Sequence, residues 1–241
     1  MVSISGSKKL KRQMAPVFWG ITRKDKRFVV ASRPGPHPHS RSIPTAVFLR
    51  DMLGIVYTLR EAKVAIYDGG VKVDGVVRRS IHHGIGLMDI VQLKNMPGAY
   101  KMIPVKGRLL QPVQVSDDEI GRKLAKVTSK TIIKGNRTSL GFHDGRTIII
   151  GDEEVRVGDS CILQVPEQKI LDIIPLQKDC RILVIKGANA GESGVIQSVE
   201  KGTFILPRRV IVSLGERSIG LPTDAVIAIP NNIGEVSNSH E

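Results

Sequence analysis

Two groupings of side chains in this sequence could do chemistry. In His143-Asp144-Gly145-Arg146 an imidazole and a carboxylate, natural acid–base groups, stand beside a guanidinium. Between residues 50 and 79 lie Arg50, Arg60, Lys63, Lys72, Arg78 and Arg79, cations suited to holding phosphates rather than moving protons. Asp-Gly is also a strong hairpin-turn dipeptide, and here it leads straight into the apolar run Thr147 to Ile150, so a turn is expected rather than a catalytic centre. His37, His39, His82 and His83 lack Cys or carboxylate partners at zinc-ligand spacing. The sequence also lacks a P-loop or dinucleotide fingerprint. The expectation is therefore no catalytic residue, no metal, no cofactor and no small-molecule substrate.

The cations need elements to hold them. Thr58 followed by Glu61 is a capping box, which predicts a helix opening at residue 58 and stopped by Gly69 and Gly70. Arg60 and Lys63 are three apart and so share one side of that helix, opposite Leu59, Ala62 and Ile66. Val71 and Val73 alternate with Lys72, Asp74-Gly75 supplies the two positive-φ residues of a type I′ turn, and Val76 and Val77 return toward Arg78 and Arg79. Upstream, Pro44 opens a short helix with Ala46, Leu49 and Leu53 on one face and Arg50 elsewhere. A second capping box, Ser116 with Glu119, predicts another short helix that buries Ile120 and Leu124.

Charge narrows the partner. A formal net charge of +13 over 241 residues and a sequence pI near 10.0 call for a polyanion. No apolar run approaches the roughly 18 residues that span a bilayer, which sets a membrane aside and leaves nucleic acid. Aromatic residues make up only 4%, so stacking of splayed bases on a sheet has little material. Folded RNA read by shape and phosphate fits better. The N-terminus has no apolar signal core, and Cys161 and Cys180 are far apart in strand-like contexts, so a reducing cytoplasmic address with two buried thiols is expected.

Residues 1–42 carry Lys8, Lys9, Lys11, Arg12, Arg23, Lys24, Lys26, Arg27, Arg33 and Arg41 against the single acid Asp25. They read as a basic extension ordered by phosphates, with Pro16, Val17, Phe18 and Trp19 docking part of it. Beyond Lys126 the chain becomes β-rich. Strands are expected at Thr131 to Ile133, Thr147 to Ile150, Glu154 to Val157, Cys161 to Val165, Lys169 to Ile174, Arg181 to Ile185, Val195 to Val199, Val210 to Leu214 and Ala225 to Ile229. Their turn punctuation suggests two small barrels meeting near Pro175 to Asp179. The loop from Lys186 through Asn189 to Gly191 could offer backbone N–H groups to phosphate or ribose.

Several stretches in this order resemble the e-type S-four family, the archaeal and eukaryotic small-subunit ribosomal protein four. They are Lys8-Lys-Leu-Lys-Arg12 with Ala15-Pro16 and Trp19, Arg33-Pro-Gly-Pro-His37, Phe48-Leu-Arg-Asp51, Thr58-Leu-Arg-Glu-Ala62, Val71-Lys-Val-Asp-Gly75, Gly86-Leu-Met-Asp89, His143-Asp-Gly-Arg146, and Lys186-Gly with Gly191 and Gly194. His39-Ser-Arg41 and Ile81-His-His-Gly84 depart from the family's acidic and Phe-Pro-type residues. The resemblance implies an α+β multidomain chain in four parts. These are a basic N-terminal extension (1–42), a small helix-helix-hairpin S-four-type RNA-binding domain (43–105), a central β-barrel-like domain (106–175), and a C-terminal SH3-like KOW barrel with tail (176–241).

It also implies a structural protein of the small ribosomal subunit that contacts small-subunit ribosomal RNA and neighbouring ribosomal proteins. On that reading Lys8, Lys9, Lys11, Arg12, Arg23, Lys24, Arg33, His37, Arg41, Arg50, Arg60, Lys63, Lys72, Arg78, Arg79, Lys186 and Asn189 are candidate RNA contacts. The sequence ends soon after the KOW module without the basic tail of eukaryotic members, so an archaeal member is expected. The alternative is an RNA-modifying enzyme or assembly factor carrying an S-four-type domain. A modifying enzyme would need a large catalytic domain, for which the short strands beyond residue 126 leave little room.

Overall fold

The structure is a computed structural model that describes residues 9–230 apart from 95, 107, 117–118, 152–153, 205 and 216. Lys8 lies outside the described residues. Strands β1 (Leu10–Lys11) and β2 (Phe28–Val29) pair antiparallel and close a loop around Trp19. Trp19 is fully buried, and its indole Nε1 donates to the Ser42 carbonyl at 2.9 Å. The extension is therefore folded onto the body, not left to be ordered by phosphates. A buried indole with a satisfied N–H supplies the apolar area that a charged tail lacks.

Next come β3 (Ile43–Pro44) and α1 (Thr45–Val47), which widens without a break into a π-helical turn over Phe48–Met52. Ala46 and Leu49 are buried as expected. Helix α2 (Leu59–Tyr67) has the predicted capping box: Thr58 Oγ1 accepts the Glu61 N–H at 3.2 Å, and the Glu61 carboxylate accepts the Thr58 N–H at 3.4 Å. Strands β4 (Val71–Val73) and β5 (Val76–Val77) form the predicted hairpin, with Asp74 at φ 50° and Gly75 at φ 77°. After β6 (Gly84–Ile85), which pairs with β3, come β7 (Ile90–Leu93), β8 (Ala99–Val105) and β9 (Arg108–Val115). The sheet order is β5-β4-β7-β8-β9. The β8–β9 hairpin carries this sheet past the edge expected at residue 105.

The helix expected after Ser116 begins at residues 117–118, which lie outside the described residues, and it does not reach Leu124: Glu119 is in a single 3-10 turn and a strand starts at Arg122. Glu119 donates its N–H to the Ser116 carbonyl in a turn, and its side chain takes Lys101 Nζ at 3.0 Å. Leu124 belongs to β10 (Arg122–Ile133), a strand paired with one neighbour through its first half and another through its second. Tertiary pairing here outranks a local capping signal. Strands β11 (Arg137–Phe142), β12 (Thr147–Ile150), β13 (Ser160–Gln164) and β14 (Lys169–Ile174) complete an antiparallel sheet of order β12-β11-β10-β13-β14. The expected strand at Glu154 to Val157 is instead an irregular approach to a turn, where Asp159 accepts the Arg156 N–H at 2.8 Å.

The last sheet contains β15 (Arg181–Val184), β16 (Ser193–Glu200), β17 (Arg209–Leu214), β18 (Arg217–Pro222) and β19 (Val226–Ala228), in the order β18-β17-β16-β15-β19. Each five-stranded sheet covers its own apolar core. A fourth cluster lies where they meet: Met88, Ile103, Leu124, Leu183, Ile185, Ile227 and Ile229. Cys161 is buried and Cys180 half-buried, and neither is in a disulfide. No helix among the described residues is long and apolar enough to cross a membrane.

Candidate nucleic-acid interface

What holds the basic hairpin in place is a buried ionic network, while the helix packs Ala62 and Ile66 into the first apolar core. Asp74, at the tip of the β4–β5 turn, accepts the Ile90 N–H through Oδ1 at 3.1 Å. Its Oδ2 takes Lys123 Nζ at 2.7 Å and Arg146 Nη2 at 2.6 Å. Lys123, projecting from β10, also reaches Asp89 at 2.6 Å and Asp144 at 3.0 Å, so its three N–H donors face three carboxylates. His37 Nε2 meets Asp89 Oδ1 at 3.0 Å, and Asp89 Oδ2 accepts the Gly86 N–H at 2.8 Å. The extension, the first sheet and the second sheet are thus tied at one point.

The electrostatics follow from that packing. Burial alone would lower the Lys123 pKa, but Asp89, Asp74 and Asp144 outweigh it and hold the ammonium charged. Burial would raise Asp89, yet Lys123 and then His37 keep it far below the ordinary carboxylate range. Asp74 moves the other way, raised by burial and by the charge on Asp89. His143 is pushed down to about 4 by burial and then by Lys123. Its Nδ1 accepts the Lys126 N–H at 3.1 Å and its Nε2 lies 3.2 Å from the Leu87 carbonyl, the geometry of a neutral ring protonated on Nε2.

The stretch from His143 to Arg146 is the expected turn, closed by the Phe142 N–H on the Arg146 carbonyl at 2.9 Å. Its Asp144 and Arg146 are committed to Lys123 and Asp74. The sequence reading missed Asp74, Asp89, Lys123, Asp144 and Arg146 as one cluster. No local spacing relates residues drawn from four separate segments.

Two candidate RNA contacts turn inward. Arg12 is 4% exposed; its guanidinium donates to the Thr22 carbonyl at 2.7 Å and pairs with Asp25 at 3.3 Å. His37 is 6% exposed and belongs to the network. Arg50 lies half-buried against Asp51, bidentate at 2.6 Å and 3.2 Å, which ties up its planar fork. Arg78 is also half-buried. Lys9, Lys11, Arg23, Lys24, Arg33, Arg41, Arg60, Lys63, Lys72 and Arg79 are exposed. Lys9 and Arg27 sit over the Phe28 ring, 5.7 Å and 5.3 Å from its centroid.

Lys186 is half-buried, its pKa lowered by burial and by the charge of Arg41, so the fold brings cations from opposite ends of the chain together. The glycine loop beside it has a different main duty from the one expected. Gly191 packs on the β8–β9 hairpin so tightly that a Cβ would fall 2.7 Å from Val105 Cα, and Glu192 pairs with Lys106 at 3.1 Å. Asn189 is half-buried in that joint.

Fold and surface together define a basic, β-rich scaffold protein that holds cations outward on a short helix, a hairpin and a folded N-terminal arm. Small ribosomal subunit protein eS4 of Staphylothermus marinus is 36% identical over 225 residues, covering 90% of this chain and 88% of that protein. The protein of the same name from Methanothermobacter thermautotrophicus is 38% identical over 217 residues, covering 89% and 88%. The chain belongs to ribosomal family S4e, whose profile matches residues 98–170, and the RS4NT domain profile matches residues 5–40. The crystal structure of the 30S ribosomal protein S4e from Thermoplasma acidophilum superposes with a TM-score of 0.67 at 30% identity, covering 78% of this chain and 95% of that one.

Proposed function

We propose that this chain is a non-catalytic structural constituent of the small ribosomal subunit, in the cytoplasm, that binds small-subunit ribosomal RNA and packs against neighbouring ribosomal proteins. The observation that carries this reading is the outward basic face of α2, with Arg60 and Lys63, on a helix fixed by a capping box and by Ala62 and Ile66 buried in the first core. A rigid cationic face recognises folded RNA through the geometry of its phosphates, and little ordering entropy opposes binding. Lys9, Lys11, Arg23, Lys24, Arg33, Arg41, Lys72 and Arg79 extend that face on the same reading. Lys186 and Asn189 contribute at its far edge.

The four-part division belongs to the same proposal: an arm, an S-four-type domain, a central β domain and a KOW-type barrel. The three separate apolar cores support it. The β8–β9 pairing supports moving the second edge beyond residue 115.

Quantitative mass spectrometry across a sucrose gradient of native lysate tests the function. One copy per small subunit, retained through a moderate salt wash, is the expected result. A substoichiometric or free distribution would favour an assembly factor or modification enzyme instead. Replacing Arg60 and Lys63 by Ala should weaken rRNA binding and lower the salt slope by about 1–2 without unfolding the chain. Unchanged binding would remove α2 from the interface.

A further inference from the structure

The outer face of α2 carries more than charge. Arg60, Val64 and Tyr67 follow one another at spacings of four and three, which places them in one stripe along α2, and Tyr57 stands just before its Thr58 cap. Tyr57 is 87% exposed, Val64 58% and Tyr67 52%, while Ala62 and Ile66 on the opposite side are fully buried. The helix already has its core contact, so this second, aromatic stripe serves something outside the chain.

We propose that Tyr57 and Tyr67 are stacking platforms for unpaired nucleobases of the bound RNA, one at each end of the cationic helix. The inference rests on the RNA-binding reading above and adds to it a mode of recognition. The two ends of this helix hold two of the chain's three tyrosines. Its charge fits a nucleic acid rather than a protein groove. Arg60 and Lys63 lie between the two rings, and the Arg79 guanidinium is packed over Gly69 at the helix C-terminus.

The nearest carboxylate, Glu61, is turned back on the helix start. It accepts the Tyr57 N–H at 3.0 Å and the Thr58 hydroxyl at 2.8 Å. Those bonds also fix the backbone from which the Tyr57 ring projects. Asp68 follows Tyr67 as the helix cap and is exposed. The helix between them, Leu59–Tyr67, is about 12 Å long at 1.5 Å per residue, and Tyr57 precedes its start, so the tyrosines are too far apart for adjacent stacked bases. They therefore mark two separate unpaired positions bridged by phosphates that Arg60 and Lys63 hold.

The test uses the full chain and a full-length small-subunit rRNA transcript from the same organism. Three double variants are compared with wild type: Tyr57→Ala with Tyr67→Ala, both to Phe, and both to Leu. Because the rings are exposed, all three should keep the wild-type circular dichroism spectrum and melting temperature. The Ala pair, losing two stacks, should bind at least about 25-fold more weakly with an unchanged salt slope, since no charge is removed. The Phe pair should retain most of the affinity and the Leu pair should not. Base-specific chemical probing should show two separated unpaired bases protected by wild type and exposed with the Ala pair.

If wild type binds and the Ala pair binds equally well, the stacking role is wrong while the function stands. If the Leu pair restores full affinity, the stripe makes an apolar contact, as with a neighbouring protein, and stacking is again wrong. A wild-type chain that does not bind the transcript overturns both readings.

Discussion

Lys123 shows how one residue can decide an architecture. Its ammonium is shared by Asp74, Asp89 and Asp144, and Arg146 supplies the second cation. Replacing Lys123 by Ala leaves those carboxylates buried with one fixed cation fewer, and should lower the free energy of unfolding by about 3–5 kcal/mol, read as a shifted urea midpoint at pH 7.

His143 sets the pH dependence. Its proton is bound near the ordinary histidine value in the unfolded chain and only near pH 4 in the fold, so between those values the unfolded state binds more protons and stability falls as pH falls. His83, lowered by burial and by Arg78, acts in the same direction. Asp89 and Asp144, also held low, carry the loss further into acid, while Asp74, whose pKa is raised, opposes it. From His143 alone the loss between pH 7 and pH 5 is about 2 kcal/mol. Urea midpoints that do not move over that interval would show that the ring is not held neutral.

At the scale of elements, loops prove to be joints. The turn at Asp74 and Gly75 is a hairpin by its dihedrals and an ionic anchor by its carboxylate. The loop at Gly191 has φ +91° and touches the backbone of Val105 and Lys106. Gly191→Ala must therefore lift the loop from the β8–β9 hairpin, at a cost of about 1–3 kcal/mol beyond backbone strain. Gly187 provides the control: its φ is +90° but nothing lies within 4 Å, so Gly187→Ala introduces the strain alone. Melting temperatures and limited proteolysis of the two variants should differ accordingly, with faster cleavage near residue 191 only in the first. Equal melting temperatures would show that the close approach contributes nothing.

At the scale of the molecule, the three sheets behave as one body. The junction cluster draws Met88 and Ile103 from the first sheet's region, Leu124 from β10, and Leu183, Ile185, Ile227 and Ile229 from the last. Lys126 crosses from β10 to donate to the carbonyls of Thr223 and Val226, and Ser160 accepts the Ala228 N–H at 3.0 Å. The N-terminal arm is part of the same body, since Trp19 fills the first core and His37 reaches the network. Deleting residues 1–42 should therefore destabilise the isolated chain, losing about 3–5 kcal/mol from Trp19 alone, and not merely impair its incorporation into particles. A thermal melt of the truncated chain equal to wild type would restore the picture of a separable tail.

The amino-acid sequence determined whatever is set by neighbours along the chain. The capping box at Thr58, the Asp74-Gly75 turn, the alternation of β4 and the turn in His143 to Arg146 each depend on a few adjacent residues, and each is present. The same reading placed a helix after Ser116 and a strand at Glu154 to Val157, because local signals there point one way and pairing with distant strands the other. It passed over β9, β11 and β18, whose Gln, Ser, Gly and Pro residues weaken the strand pattern. The candidate site divides in the same manner. Arg60, Lys63 and Lys72 read correctly as outward cations from periodicity alone. The inward turn of Arg12 and His37, the pairing of Arg50 with Asp51 and the convergence on Lys123 were decided only by the tertiary structure, because a buried charge is stable only where distant partners converge on it.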